Sequence, residues 1–159
     1  MMMRMKIVLV AIAVTSGLAS GPATARPFSE AVVERVPGDR VTLRWDKDGP
    51  VDVYVAATPD SPADKLRKLA DNDSDGSFSI RLHGVARPYF LLKSENDGSE
   101  IRLAERLLPL QGGSNFRDIG GSPAGDGRHV RWGLIYRSGG MPMLPSADYH
   151  YLSRLGIVT

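Results

Sequence analysis

The sequence predicts a mixed fold, a small all-β sandwich over residues 26–107 followed by the truncated start of an α/β domain over residues 108–159. Three observations predict it. Between Val41 and Leu103 apolar and polar residues alternate with period two, and Asp-Gly pairs separate the runs. After Leu107 the chain turns to a Gly-rich connector, an apolar run, a helical pattern and a second apolar run. Ahead of both, residues 1–25 carry the layout of an export signal.

That signal consists of Arg4 and Lys6, the uninterrupted apolar run Ile7 to Val14, and an A-x-A-like site at Ala23, Thr24 and Ala25. Eight apolar residues fall short of the roughly 20 needed to cross a bilayer, so no stable membrane anchor is expected. The expected location is the periplasm or the exterior. Cleavage after Ala25 removes two bases and no acid, so the 20 Lys and Arg fall to 18 against 18 Asp and Glu. A neutral mature chain argues against a nucleic-acid partner, because phosphate-binding surfaces carry a net basic stripe. The sequence contains no Cys, which excludes disulfides, thiolate nucleophiles and sulfur metal ligands within it. No cofactor is expected.

Within residues 26–107, Val41, Leu43 and Trp45 alternate with Thr42, Arg44 and Asp46. Val51, Val53 and Val55 alternate with Asp52, Tyr54 and Ala56, and Phe78, Ile80 and Leu82 with Ser77, Ser79 and Arg81. Each run reads as a half-buried strand. Tyr89 to Leu92 is denser and reads as a strand covered on both faces, and Ile101 with Leu103 continues the alternation. Asp48-Gly49, Asp75-Gly76 and Asp97-Gly98 read as tight hairpin turns, since such turns need a positive φ. Six or seven short strands of this kind form an antiparallel sandwich. The architecture resembles fibronectin type III or immunoglobulin-like modules, a likeness that carries no function. Asp71, Asp73, Asp75 and Gly76 match the opening of a calcium loop, but the twelfth position is Leu82 where a bidentate Glu is required. A solvated acidic hairpin loop is therefore the primary reading, with a weak calcium site as the alternative.

In residues 108–159, Pro109, Gly112, Gly113 and Ser114 form a connector to Asn115-Phe116-Arg117-Asp118-Ile119-Gly120-Gly121. A Gly/Pro-rich turn, Ser122 to Gly127, leads to a predicted strand from Val130 to Tyr136. A helix is predicted from Ser146 to Leu155, with Ser146 capping its first turn, Asp148 favoured near its positive end, and Tyr149, Leu152 and Leu155 on one face. Gly156 is the expected left-handed stop before a β run begins at Ile157. Strand, helix and strand in this order imply a parallel pair. Fifty-two residues with one helix cannot bury a parallel sheet on both faces, so the segment is expected to be incomplete.

The block Asn115 to Gly121, then Val130-Arg131-x-Gly133-x-Ile135-Tyr136-Arg137-Ser138-Gly139, then Asp148 and Leu152 before Leu155-Gly156-Ile157, resembles the opening of the secreted bacterial tyrosine-phosphatase-like family, some of whose members act on phosphoinositides. The resemblance covers about 45 residues and only the N-terminal part of the family's domain. It implies a phosphorylated protein or phosphoinositide substrate. It also implies a Cys thiolate attacking phosphorus, an Arg clamping the phosphate, and an acid protonating the leaving group, in a motif like H-C-x-x-G-K-D-R-[ST]-G. No stretch here matches that motif, so no catalytic residue is expected in this chain, which should be inactive by itself.

Arg117, Asp118, Arg137 and Ser138 are the candidate substrate-binding or supporting residues. The resemblance implies that Arg117 and Asp118 lie on the family's entry loop at the active-site side, where Arg117 would help to hold the anionic substrate, since guanidinium binds phosphate bidentately. The alternative is structural, with Asp118 paired to Arg137 or Arg131 so as to fix the loop. Arg137 and Ser138 follow a strand's C-terminal end, where α/β sheets place ligands. Phe116 and Trp132 read as core anchors. His83, His129 and His150 lack metal-ligand spacing, and His150 reads as a surface residue. The competing reading of the whole chain is a secreted, non-catalytic β-sandwich binding module.

Overall fold

The computed structural model describes residues 28–36, 40–81, 87–125 and 128–158. The export signal of residues 1–25, Leu82, His83, Gly127 and Thr159 lie outside the described residues. No helix among the described residues is long and apolar enough to cross a membrane.

Seven strands of the described residues form two facing antiparallel sheets. They are β1 (Ala31–Val36), β2 (Arg40–Trp45), β3 (Val51–Ala56), β4 (Arg67–Asp73), β5 (Ser77–Arg81), β6 (Tyr89–Ser94) and β7 (Glu100–Ala104). One sheet has the order β1-β2-β5 and the other β4-β3-β6-β7. The inward residues of the two sheets make one core, built from Val33, Val41, Leu43, Val51, Val53, Phe90, Leu92 and Leu103. Period-two alternation places Val41, Leu43 and Trp45 on the inner side of β2 while Thr42 and Arg44 face outward. In β6, Phe90, Leu91 and Leu92 are all buried, so that strand is covered on both faces.

Two of the three Asp-Gly pairs do something other than expected. Asp97-Gly98 turns β6 into its hairpin partner β7. Asp48-Gly49 and Asp75-Gly76 instead carry the chain from one sheet to the other, from β2 to β3 and from β4 to β5. Gly49 and Gly76 do adopt positive φ, at 91° and 69°. A left-handed residue therefore marks a sharp reversal here without specifying that the flanking strands pair. Neither β1 nor β4 stood out in the sequence. Both are sheet edges, and β4, with the composition RKLADND, buries no residue fully, Leu69, Ala70 and Asp73 being half-buried. Its ladder with β3 is interrupted between Val51 and Val53 and again between Val53 and Tyr54.

The irregular ladder is held by a buried carboxylate. Asp52 accepts hydrogen bonds from Lys68 Nζ (2.5 Å), the Asn72 backbone N–H (3.0 Å) and Tyr54 Oη (2.9 Å). Burial by itself would raise the Asp52 pKa, but the Lys68 ammonium and the two further donors outweigh it and hold it at about 2. A lowered folded-state value contributes stability above the unfolded carboxyl pKa of about 3.9, and that contribution is lost as pH falls through about 2. Asp52→Asn should therefore flatten the loss of stability between about pH 4 and pH 2 in urea titrations, relative to the parent chain.

Beyond β7 the backbone continues into a small ribbon. Leu108 N–H bonds Phe116 O (2.9 Å), Asp118 N–H bonds Arg106 O (3.0 Å), and β8 (Arg117–Asp118) pairs antiparallel with β9 (Tyr136–Arg137). The boundary drawn at residue 107/108 from the sequence thus falls inside a hydrogen-bonded ladder. The strand expected from Val130 to Tyr136 is reduced to Tyr136–Arg137, because Gly133 turns at φ 78° and Trp132 leaves the strand path to enter the sandwich core. The expected parallel pair is absent among the described residues. Ile157 makes no strand, and its N–H instead closes the helix end on Leu152 O (3.1 Å).

The helix α1 (Ser146–Arg154) forms as expected, with Gly156 at φ 79° as its stop. Its cap differs. Pro145 occupies the N-cap, and no side-chain hydrogen bond closes the first turn, so Ser146 is not the cap. The buried face is Asp148 and Leu152 with Tyr151 and Leu155 beside them, while Tyr149 is exposed. Among the described residues Leu152 joins Leu108 and Phe116 in a second core of three buried side chains, with half-buried ones such as Leu110, Tyr136 and Leu144 packed against it.

Candidate functional site

Alternation along Asn115–Asp118 decides which groups face inward. Phe116 is buried and stacks on Tyr136, with ring centroids 5.4 Å apart, whereas Arg117 is half-buried. Asn115 sits at φ 56°, a left-handed conformation that Asn tolerates, and its Oδ1 accepts a hydrogen bond from Arg117 Nε at 2.5 Å.

Asp118 is 0% exposed. Its Oδ2 accepts from Arg87 Nη2 (2.6 Å) and the Gly133 N–H (2.8 Å), and its Oδ1 accepts from the Gly120 N–H (2.7 Å). Asp118 is thus paired with an arginine, but with neither Arg137 nor Arg131. Arg87 takes the place expected for Arg137 or Arg131. Arg131 is paired instead with Asp60, and Arg137 is exposed on β9.

Arg87 was not apparent from the sequence, where an isolated Arg before Pro88 carries no pattern. It is only 6% exposed and reaches across both parts of the chain. Nη2 also donates to Glu105 O (3.0 Å), and Nη1 donates to the hydroxyls of Tyr89 (3.1 Å) and Tyr136 (3.3 Å). Its guanidinium lies over the rings of Tyr89, Trp132 and Tyr136 at 5.0, 5.9 and 5.9 Å. Burial raises the pKa of both tyrosines, with the Arg87 charge opposing the shift.

Trp132 completes this anchor. Its Nε1 donates to Arg102 O (2.9 Å) on β7, and the Arg106 guanidinium lies 5.3 Å over its ring. The pair Gly120-Gly121 lies flat against it. A Cβ at Gly120 would fall 2.5 Å from Trp132 Cα and 2.7 Å from its ring. Gly120→Ala should thus cost about 1–3 kcal/mol by overpacking, read from the urea midpoint, with perturbed Trp132 fluorescence.

The remaining candidates lie nearby. Ser138 Oγ donates to Ser114 O (3.3 Å), and Gly139 and Ser114 join their backbones through Gly139 N–H to Ser114 O (2.8 Å). Asp148, buried on α1, accepts from the Gln111 and Gly112 N–H groups at 3.0 and 2.8 Å and so fastens the connector to the helix. No sequence signal marked that role. The calcium candidates end elsewhere. Asp71 and Asp73 close β4, where Asp71 pairs with Lys68 (2.6 Å), and Asp73 Oδ1 accepts from the Asp75 N–H (2.9 Å). Among the described residues no three His, Asp or Glu side chains converge as a metal site. His129 and His150 are exposed.

Cross-strand register brings two of the candidates together, for Arg117 and Arg137 are directly opposite on β8 and β9. Asp118 belongs to the opposite, inward face, and Ser138 belongs to the connector contact.

Residues 108–159 match the model of a tyrosine phosphatase family, over about a third of the chain. No curated protein and no solved structure matched. The segment containing the Asn115–Gly121 block, the ribbon and α1 is tyrosine-phosphatase-like, in agreement with the resemblance read from its motifs.

Proposed function

We infer that this chain is the N-terminal part of an exported phosphomonoester hydrolase of the tyrosine-phosphatase type, acting on a phosphorylated protein or phosphoinositide. The observation that carries the reading is the family match over residues 108–159. It is supported by the exposed apolar side chains of the same segment, where Leu134, Ile135, Met141, Met143, Tyr149 and Val158 lie open, and by its small core, with three buried residues among those described. The nucleophilic Cys and phosphate-clamping Arg would be supplied by chain beyond Thr159, since the sequence holds no Cys. Export is supported by the basic, apolar and small-residue order of residues 1–25.

We also infer a fibronectin type III relationship for the sandwich. β4 lies beside β3, rather than in the sheet of β1, β2 and β5 where an immunoglobulin constant-type domain would hold its fourth strand. Reading the coding sequence past codon 159 tests the phosphatase assignment. An in-frame continuation carrying Cys, five residues and Arg is expected. A stop codon there would instead favour the non-catalytic binding module. The chain of residues 1–159 should not turn over an aryl phosphate above background.

A further inference from the structure

Arg117 and Arg137 face each other in register across β8 and β9, on the side of the ribbon opposite Phe116, Asp118 and Tyr136. Directly opposed residues of an antiparallel pair have Cβ atoms about 4.5–5.5 Å apart, and like charges so placed repel. Neither side chain makes an ion pair among the described residues, because the nearby carboxylate of Asp118 is turned inward to Arg87. Among the described residues Arg117 uses Nε alone, on Asn115 Oδ1, and both Nη groups of the oriented fork have no partner. Leu107, bridged to Arg117 on its other side, is exposed and adds an apolar neighbour to the two cations.

We propose that Arg117 and Arg137 form a cross-strand clamp for the dianion of a phosphate monoester, already assembled in this chain without the catalytic loop. An anion between the two guanidiniums converts their repulsion into two charge-assisted contacts, each capable of bidentate geometry. The Asn115 hydrogen bond holds one fork in place before binding, which lowers the ordering cost. A second opposed pair, Arg40 and Arg81, lacks this feature, as both side chains are exposed and neither is held by a hydrogen bond among the described residues. It provides an internal control.

The ligand class rests on the phosphatase reading, but binding requires nothing beyond Thr159. A failed clamp is therefore distinguishable from a failed assignment, which the downstream coding sequence tests. The experiment is a titration of the chain with phenyl phosphate at low salt, followed by calorimetry and backbone amide NMR, with benzyl alcohol as the neutral comparison. Saturable binding that shifts the amides of residues 115–118 and 136–138 is expected. Arg137→Gln, on an exposed side chain, should weaken it about tenfold, and Arg117→Gln similarly, while Arg81→Gln leaves it unchanged. Absence of saturable binding overturns the proposal. So does binding that survives both Arg137→Gln and Arg117→Gln, or that Arg81→Gln weakens equally.

Discussion

Replacing Arg87 by Met should lower the unfolding free energy by about 3–5 kcal/mol, the usual cost of leaving one member of a buried ion pair without the other. The Asp118 carboxylate would keep its bonds to the Gly120 and Gly133 N–H groups but lose the cation paired with it among the described residues. Asp118→Leu should cost a similar amount, since it strands the guanidinium and two backbone donors. The double replacement Arg87→Met/Asp118→Leu should cost clearly less than the sum, because neither charge is then left buried alone. Urea titrations of the four chains give the coupling. Additive costs would mean that the two residues act separately, and the anchor between the sandwich and the phosphatase-like ribbon would have to lie elsewhere.

Trp132→Ala should be comparably damaging, at about 3–5 kcal/mol for loss of a buried aromatic side chain. The residue belongs by sequence to the phosphatase-like segment and by packing to the sandwich core. Its removal also frees Arg102 O and takes away the ring beneath Arg106 and Arg87. Trp132→Phe keeps most of the ring and loses the Nε1 hydrogen bond, worth about 1 kcal/mol. The distinguishing measurement is hydrogen exchange. In Trp132→Ala the amides of β6 and β7 and those of α1 should lose protection together, whereas loss confined to residues 117–154 would show that the segment unfolds apart from the sandwich.

The elements that could be read from the sequence were those whose own residues pay the cost of ordering. β2, β3, β5, β6 and β7 each carry inward apolar side chains at alternate positions, and α1 carries Leu152 and a glycine stop. β1 and β4 are edges with weaker patterns, so their pairing depends on neighbours. The strand expected at 130–136 failed because periodicity cannot tell an apolar residue that packs along a strand from one, such as Trp132, that plugs a different core. In the candidate site, the inward burial of Phe116 was readable. Partner choice was not. Arg87 lies 31 residues from Asp118, just ahead of β6, and only the tertiary fold brings them to 2.6 Å. The opposition of Arg117 and Arg137 likewise depends on register, which the two motifs do not encode separately.

Among the described residues the core of the 52-residue segment is three buried side chains, Leu108, Phe116 and Leu152, with six half-buried ones against them, which is small for independent folding, so the phosphatase-like part draws its order from Arg87 and from the sandwich core that receives Trp132. Residues 108–159 expressed alone and followed by near-ultraviolet circular dichroism on heating should give neither a fixed aromatic signal nor a cooperative transition. A sharp melt with native aromatic signal from that fragment would mean that it carries its own core and that the sandwich only accompanies it.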